Sequence, residues 1–94
     1  MLNDQRRAFS DEYVNLVLSV SGMYIEIAAR NPIAALPAVT TQELKNIPCI
    51  LIASKEQRQT EQEYYQTVIG IQGDFLYAEN LEEARLLVTS GQGF

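Results

Sequence analysis

Three features of the sequence predict an α/β fold with a mostly parallel sheet flanked by helices. Short aliphatic runs alternate with segments of helical spacing, and those segments begin on a hydroxyl or amide residue with a glutamate three positions later. One run, Cys49-Ile50-Leu51-Ile52-Ala53, is apolar throughout and too short for a helix, as a strand buried on both faces of a parallel sheet would be. It is therefore predicted as the central strand. At 94 residues there is room for one hydrophobic core, so residues 1–94 form a single unit, with a lead-in over 1–12 and an α/β core over 13–94.

Each element follows from local chemistry. Leu2 to Glu12 is polar and charged, with Asp4, Arg6 and Arg7 close together, and reads as a connecting segment. Tyr13 to Val20 and Met23 to Ala29 are rich in Val, Ile, Leu and Tyr and flank Ser21-Gly22, which predicts two strands around a turn. Arg30-Asn31-Pro32 ends the second. Thr40 and Glu43 have capping-box spacing, so a short helix is predicted to run to about Lys45, stopped by Asn46 and Pro48. After the central strand, Thr60 with Glu63 predicts a helix carrying Tyr64, Tyr65, Val68 and Ile69, which Gly70 closes. Asp74 to Tyr77 is a strand. Asn80 with Glu83 opens a last helix, with Leu81, Ala84, Leu87 and Val88 on its apolar stripe and Glu82 and Arg85 on its wet side. Gly91-Gln92-Gly93-Phe94 follows where another strand of an α/β unit is expected, so the chain is read as a subdomain excised from a larger region.

Composition excludes several functions. Hydrophobic residues make up 47% and charged residues 20%, the proportions of a chain that folds. The net charge of −5 repels phosphate backbones, so no direct nucleic-acid contact is expected. Apolar runs fall far short of the ~20 residues of a membrane span. Cys49 is the single cysteine, which rules out an internal disulfide, fits a reducing cytoplasm and reads as a packed structural thiol. Histidine is absent, which removes the commonest acid–base group and the Ser-His and Cys-His pairs. No catalytic residue, metal site or cofactor motif is identified, and the chain is read as a binding module and not an enzyme. A phospho-receiver would need an aspartate where the central strand ends in Ala53-Ser54.

Ser54-Lys55 stands at the carboxyl end of the predicted central strand, and Gln57, Arg58 and Thr60 lead into a helix. A hydroxyl, an ammonium and free amides there suit a carboxylate or phosphate of a small ligand, because ligands of open α/β sheets gather at the carboxyl ends of the strands. A polar loop with a helix cap accounts for the same residues, and both readings stand at this point.

Taken together, the segments resemble the effector-binding domain of LysR-type transcriptional regulators. The likeness covers most of the chain and is greatest over Ala78-Glu79-Asn80-Leu81-Glu82-Glu83-Ala84-Arg85-Leu86-Leu87-Val88-Thr89-Ser90-Gly91-Gln92-Gly93-Phe94. Met23 to Ala35 and Thr40-Thr41-Gln42-Glu43-Leu44-Lys45 add to it. The resemblance implies a periplasmic-binding-protein-like, Rossmann-like subdomain, the second of two, with a small and anionic effector held in the cleft against the first subdomain of the same regulator. It makes Ser54 the leading effector contact and Lys55 a further one. Arg6 and Arg7 fall near the implied hinge, reaching either the cleft or an interdomain salt bridge. It also implies a homodimer or higher oligomer, for which the helix of Tyr64, Tyr65 and Val68 is the candidate contact. The competing readings are half of a solute-binding protein, or a small receiver-like α/β signalling or enzymatic domain.

Overall fold

The turn at Ser21-Gly22 sets up the first half of the fold. Gly22 has φ of +71°, a conformation that costs glycine little, and its amide donates to the Leu18 carbonyl at 2.9 Å. The strands on either side, β2 (Tyr13–Leu18) and β3 (Tyr24–Ala28), therefore pair antiparallel, from Tyr13 opposite Ala28 to Val17 opposite Tyr24. A computed structural model describes residues 2–3, 11–19 and 21–94. In it β1 (Leu2–Asn3) pairs antiparallel with β3, and β4 (Ala38–Val39) pairs parallel with β2, giving the order β1-β3-β2-β4.

The expected mostly parallel sheet is thus corrected. The first sheet is mainly antiparallel because a short turn cannot return a strand in parallel register. Leu2 and Asn3, predicted as part of a connecting lead-in, supply a strand whose Leu2 packs on the core. Arg6 and Arg7 lie outside the described residues.

Parallel pairing does govern the second sheet. Strand β5 (Cys49–Ile52) lies beside β6 (Phe75–Ala78), in register from Cys49 opposite Phe75 to Ile52 opposite Ala78. On its other edge, the Phe94 amide donates to the Pro48 carbonyl at 2.9 Å and the Phe94 carbonyl accepts from the Ile50 amide at 2.7 Å, the bonding of a parallel neighbour. Gly93 permits this approach, since a Cβ there would collide with the Pro48 carbonyl. Strand β5 is accordingly flanked on both edges. Successive steps of the chain, to β6 and then to Phe94, fall on opposite sides of it.

The capping pairs have different fates. Thr40 and Glu43 form both reciprocal hydrogen bonds, Thr40 N–H to Glu43 Oε1 at 3.0 Å and Glu43 N–H to Thr40 Oγ1 at 3.2 Å, yet the predicted helix does not follow. Successive three-residue turns run to Ile47 instead, because Pro48 and the start of β5 leave no length for a helical ladder. The helix predicted from Thr60 starts earlier. It is α1 (Arg58–Tyr64), and the Ser54 carbonyl accepts from both the Gln57 and Arg58 amides at 3.0 and 3.1 Å, so the chain is already turning when it leaves β5. Residues Tyr65–Ile69 widen into a π turn, and Gly70 closes it at φ of +88°, the role predicted for that glycine. Only the last pair behaves as read: the Glu83 amide donates to Asn80 Oδ1 at 2.8 Å at the start of α2 (Leu81–Thr89).

The faces of β5 are buried in different clusters. Cys49 and Leu51 pack with Ile69, Ile71 and Phe94 and with Leu16, Leu18, Ile25 and Ile27 of the hairpin. Ile50 packs with Ala78, Ala84 and Val88 under α2. Arg85, expected on the wet side of α2, is corrected too. It turns inward and forks onto Glu26, with Nε to Oε1 and Nη2 to Oε2 both at 3.2 Å, and lies over the Tyr13 ring at 5.3 Å. Glu26 is 0% exposed, and this pair ties α2 to the first sheet.

Candidate functional site

Burial along β5 changes abruptly at its carboxyl end. Cys49, Ile50 and Leu51 are buried, whereas Ile52 is 44% exposed and lies at the mouth of a cleft of about 340 Å³. Its walls are Ile52 to Lys55, Gln57, Arg58 and, from the end of β6, Glu79. The cleft therefore lies beyond the carboxyl ends of the paired parallel strands β5 and β6, the end of an open α/β sheet at which ligands are held.

Ser54 and Lys55, the leading predicted contacts, are both exposed in this cleft. The Ser54 backbone is committed to the turn, with its amide donating to Gln57 Oε1 at 3.4 Å and its carbonyl accepting from Gln57 and Arg58. Among the described residues, its hydroxyl has no hydrogen-bond partner and the Lys55 ammonium has no ion-pair partner. Both are available to a ligand. The predicted Arg6 and Arg7 fall outside the described residues.

Arg58 has a larger part than a helix-leading residue needs. Its guanidinium lies over the Tyr77 ring at 4.7 Å, and the Tyr77 hydroxyl donates to Gln62 Oε1 one turn further along α1. Stacking fixes the plane of the guanidinium and leaves its in-plane donors for other partners. Its Nε is buried and without a partner among the described residues, a condition that costs about 1–3 kcal/mol unless something else satisfies it. Glu79 was missed by sequence reasoning. The signal was present, since it follows the last residue of β6 and stands at the carboxyl end of the neighbouring strand.

A second hollow, of about 320 Å³, lies between Asp11, Glu12, Ala29, Arg30, Thr89 and Ser90. Its arginine is engaged: Arg30 Nη1 donates to the Thr89 carbonyl at 2.8 Å and caps the end of α2. Cys49 has the character predicted for it, a buried thiol whose burial pushes it up to about 11. Tyr65 behind it is pushed up to about 12, first by burial and then by Cys49, Glu61 and Tyr64. Neither group is poised to ionise near neutrality. The described residues contain no group of side chains suited to a metal ion, and no helix long and apolar enough to cross a membrane. Of the candidate self-association contacts Tyr64, Tyr65 and Val68, Tyr64 and Val68 are exposed, whereas Tyr65 is partly buried against the core.

Comparison with protein-family models, with curated proteins and with solved structures finds no match to this chain.

Proposed function

We propose that the chain is the effector-sensing second subdomain of a LysR-type, periplasmic-binding-protein-like regulatory domain, binding a small anionic metabolite at the carboxyl end of β5. The observation that carries this reading is the cleft itself. It joins the Ser54 hydroxyl and the Lys55 ammonium, both without a partner among the described residues, and the stacked Arg58 guanidinium at the carboxyl ends of β5 and β6. Three donors at one mouth suit a carboxylate or phosphate, and the guanidinium offers the geometry for a two-pronged contact. The cleft is open on one side, and the missing cover is the first subdomain of the same regulator, against which the ligand is enclosed. The effector then acts by differential affinity, favouring one arrangement of the two halves by about 1–3 kcal/mol. In this reading the chain catalyses nothing and touches no nucleic acid.

The test is a titration of the chain with small mono- and dicarboxylates at low ionic strength, followed through the backbone amide resonances of Ser54, Lys55 and Arg58. Saturable shifts that weaken in Lys55→Ala are the expected result. Resonances that stay put at all millimolar concentrations, with the protein folded, would sink the assignment.

A further inference from the structure

We propose that the cleft is built for a ligand carrying both signs of charge, a small amino acid or other ammonium carboxylate, with Lys55 and Arg58 receiving the carboxylate and Glu79 the ammonium. This rests on the reading of the cleft as a ligand site and adds the charge pattern of the ligand.

The argument starts from charges that share a wall and do not pair. Lys55 and Arg58 leave the end of β5, and Glu79 leaves the end of β6 one residue beyond the paired Ile52 and Ala78. Neighbouring strands run ~5 Å apart, so these side chains have the length to meet. Yet among the described residues neither cation forms an ion pair, and none joins Glu79 to Arg58. Where an acid and an arginine do meet in this fold, at Glu26 and Arg85, they fork together in two hydrogen bonds.

The reason for the separation is visible on both sides. Arg58 is held over the ring of Tyr77 in β6, whose hydroxyl is fixed by Gln62, so the guanidinium is committed to that ring. The backbone of Glu79 is fixed by its amide, which donates to Glu83 Oε2 at 3.2 Å as part of the α2 cap, and its side chain is exposed. Among the described residues the buried Nε of Arg58 remains without a partner. A pure anion entering this cleft meets the Glu79 carboxylate, and a pure cation meets Lys55 and Arg58. A ligand with both groups satisfies each wall, which is selection by repulsion as well as attraction.

The experiment compares probes that share a carbon chain and differ only in charge. The 94-residue chain is titrated at low ionic strength with γ-aminobutyrate, butyrate and butylammonium. Matched sets built on glycine and on ε-aminohexanoate cover shorter and longer separations. Amide resonances of residues 52–58 and of Glu79 give the affinities. In at least one set the zwitterion should bind about fivefold more tightly than its carboxylate, the ratio that ~1 kcal/mol from one solvated charge pair provides. Glu79→Gln should abolish that advantage without weakening the carboxylate. If each carboxylate binds as tightly as its zwitterion, the charge pattern is wrong and the anion site stands alone. If no probe moves these resonances, the ligand site falls and this inference with it.

Discussion

Two arginines among the described residues, Arg85 and Arg58, lie over tyrosine rings and are used in opposite ways. Arg85, over Tyr13, forks onto the buried carboxylate of Glu26, and the hydrogen bonds raise its already high pKa further. Arg58, over Tyr77, has no acid partner among the described residues and lines an open cleft. The ring contact is the same kind in both, so stacking does not assign the role. What decides is whether the fold places a buried carboxylate within reach. Where it does, the charge is consumed in holding α2 to the first sheet; where it does not, the charge lines a cleft and is unpaired among the described residues.

The largest expected effect tests the closed side. Arg85→Ala leaves Glu26 buried without its guanidinium, and the loss should be about 3 kcal/mol, since breaking a buried pair by removing one member is far costlier than replacing both. For a domain held by roughly 5–14 kcal/mol, that should lower the urea midpoint markedly. A midpoint close to the parent's would mean that the pair is ornamental and the contrast with Arg58 empty.

The next test concerns the closed end of β5, where Cys49 lies. The folded thiol ionises near 11 against an ordinary 9.0, so the unfolded chain releases that proton first. The contribution is complete below pH 9, declines as pH rises, and is gone above pH 11. Its size is about 2–3 kcal/mol for a fully buried group. Unfolding free energies measured on either side of this window should therefore fall more steeply with pH for the parent than for Cys49→Ala. Parallel pH profiles would show that the amino end of β5 is more open than its burial implies.

On the open side the effects on stability should be small. Arg58→Ala removes a half-exposed cation–ring contact and should cost at most about 1 kcal/mol of stability. It should nevertheless abolish the preference of the cleft for carboxylates. A loss matching that of Arg85→Ala would mean that Arg58 is a second structural arginine. The smallest effect belongs to Ser54→Ala. Thermal melts should change by no more than about 0.5 kcal/mol, because the hydroxyl has no partner among the described residues to lose. Carboxylate affinity should drop by about 0.5–1.5 kcal/mol through one lost hydrogen bond. Calorimetry on the variant decides this, and an unchanged affinity would reduce the loop to a turn into α1.

Periodicity and capping chemistry made the second half of the fold legible. The apolar run at Cys49, the Asn80 and Glu83 pair and the closing Gly70 all act locally, and each formed as their chemistry requires. Ser54 and Lys55 could be placed at a strand end for the same reason. The helix expected after Thr40 failed although its cap formed, because a cap starts a helix only where the following residues are free to continue it. Arg85 was misplaced because helical spacing gives the direction of a side chain and not what lies opposite.

By itself, then, the sequence determined which segments are strands and helices in the second half, the loop that carries the candidate site, and the inert character of Cys49. These follow from contacts within a few residues. Tertiary structure alone decided the addition of β1 and β4 to the hairpin of β2 and β3, the flanking of β5 by Phe94, the burial of Glu26 under Arg85 and the gathering of Glu79 into the cleft with Arg58. Each of these joins residues distant in the chain, and their energies depend on which surfaces meet, a quantity that local pattern does not contain.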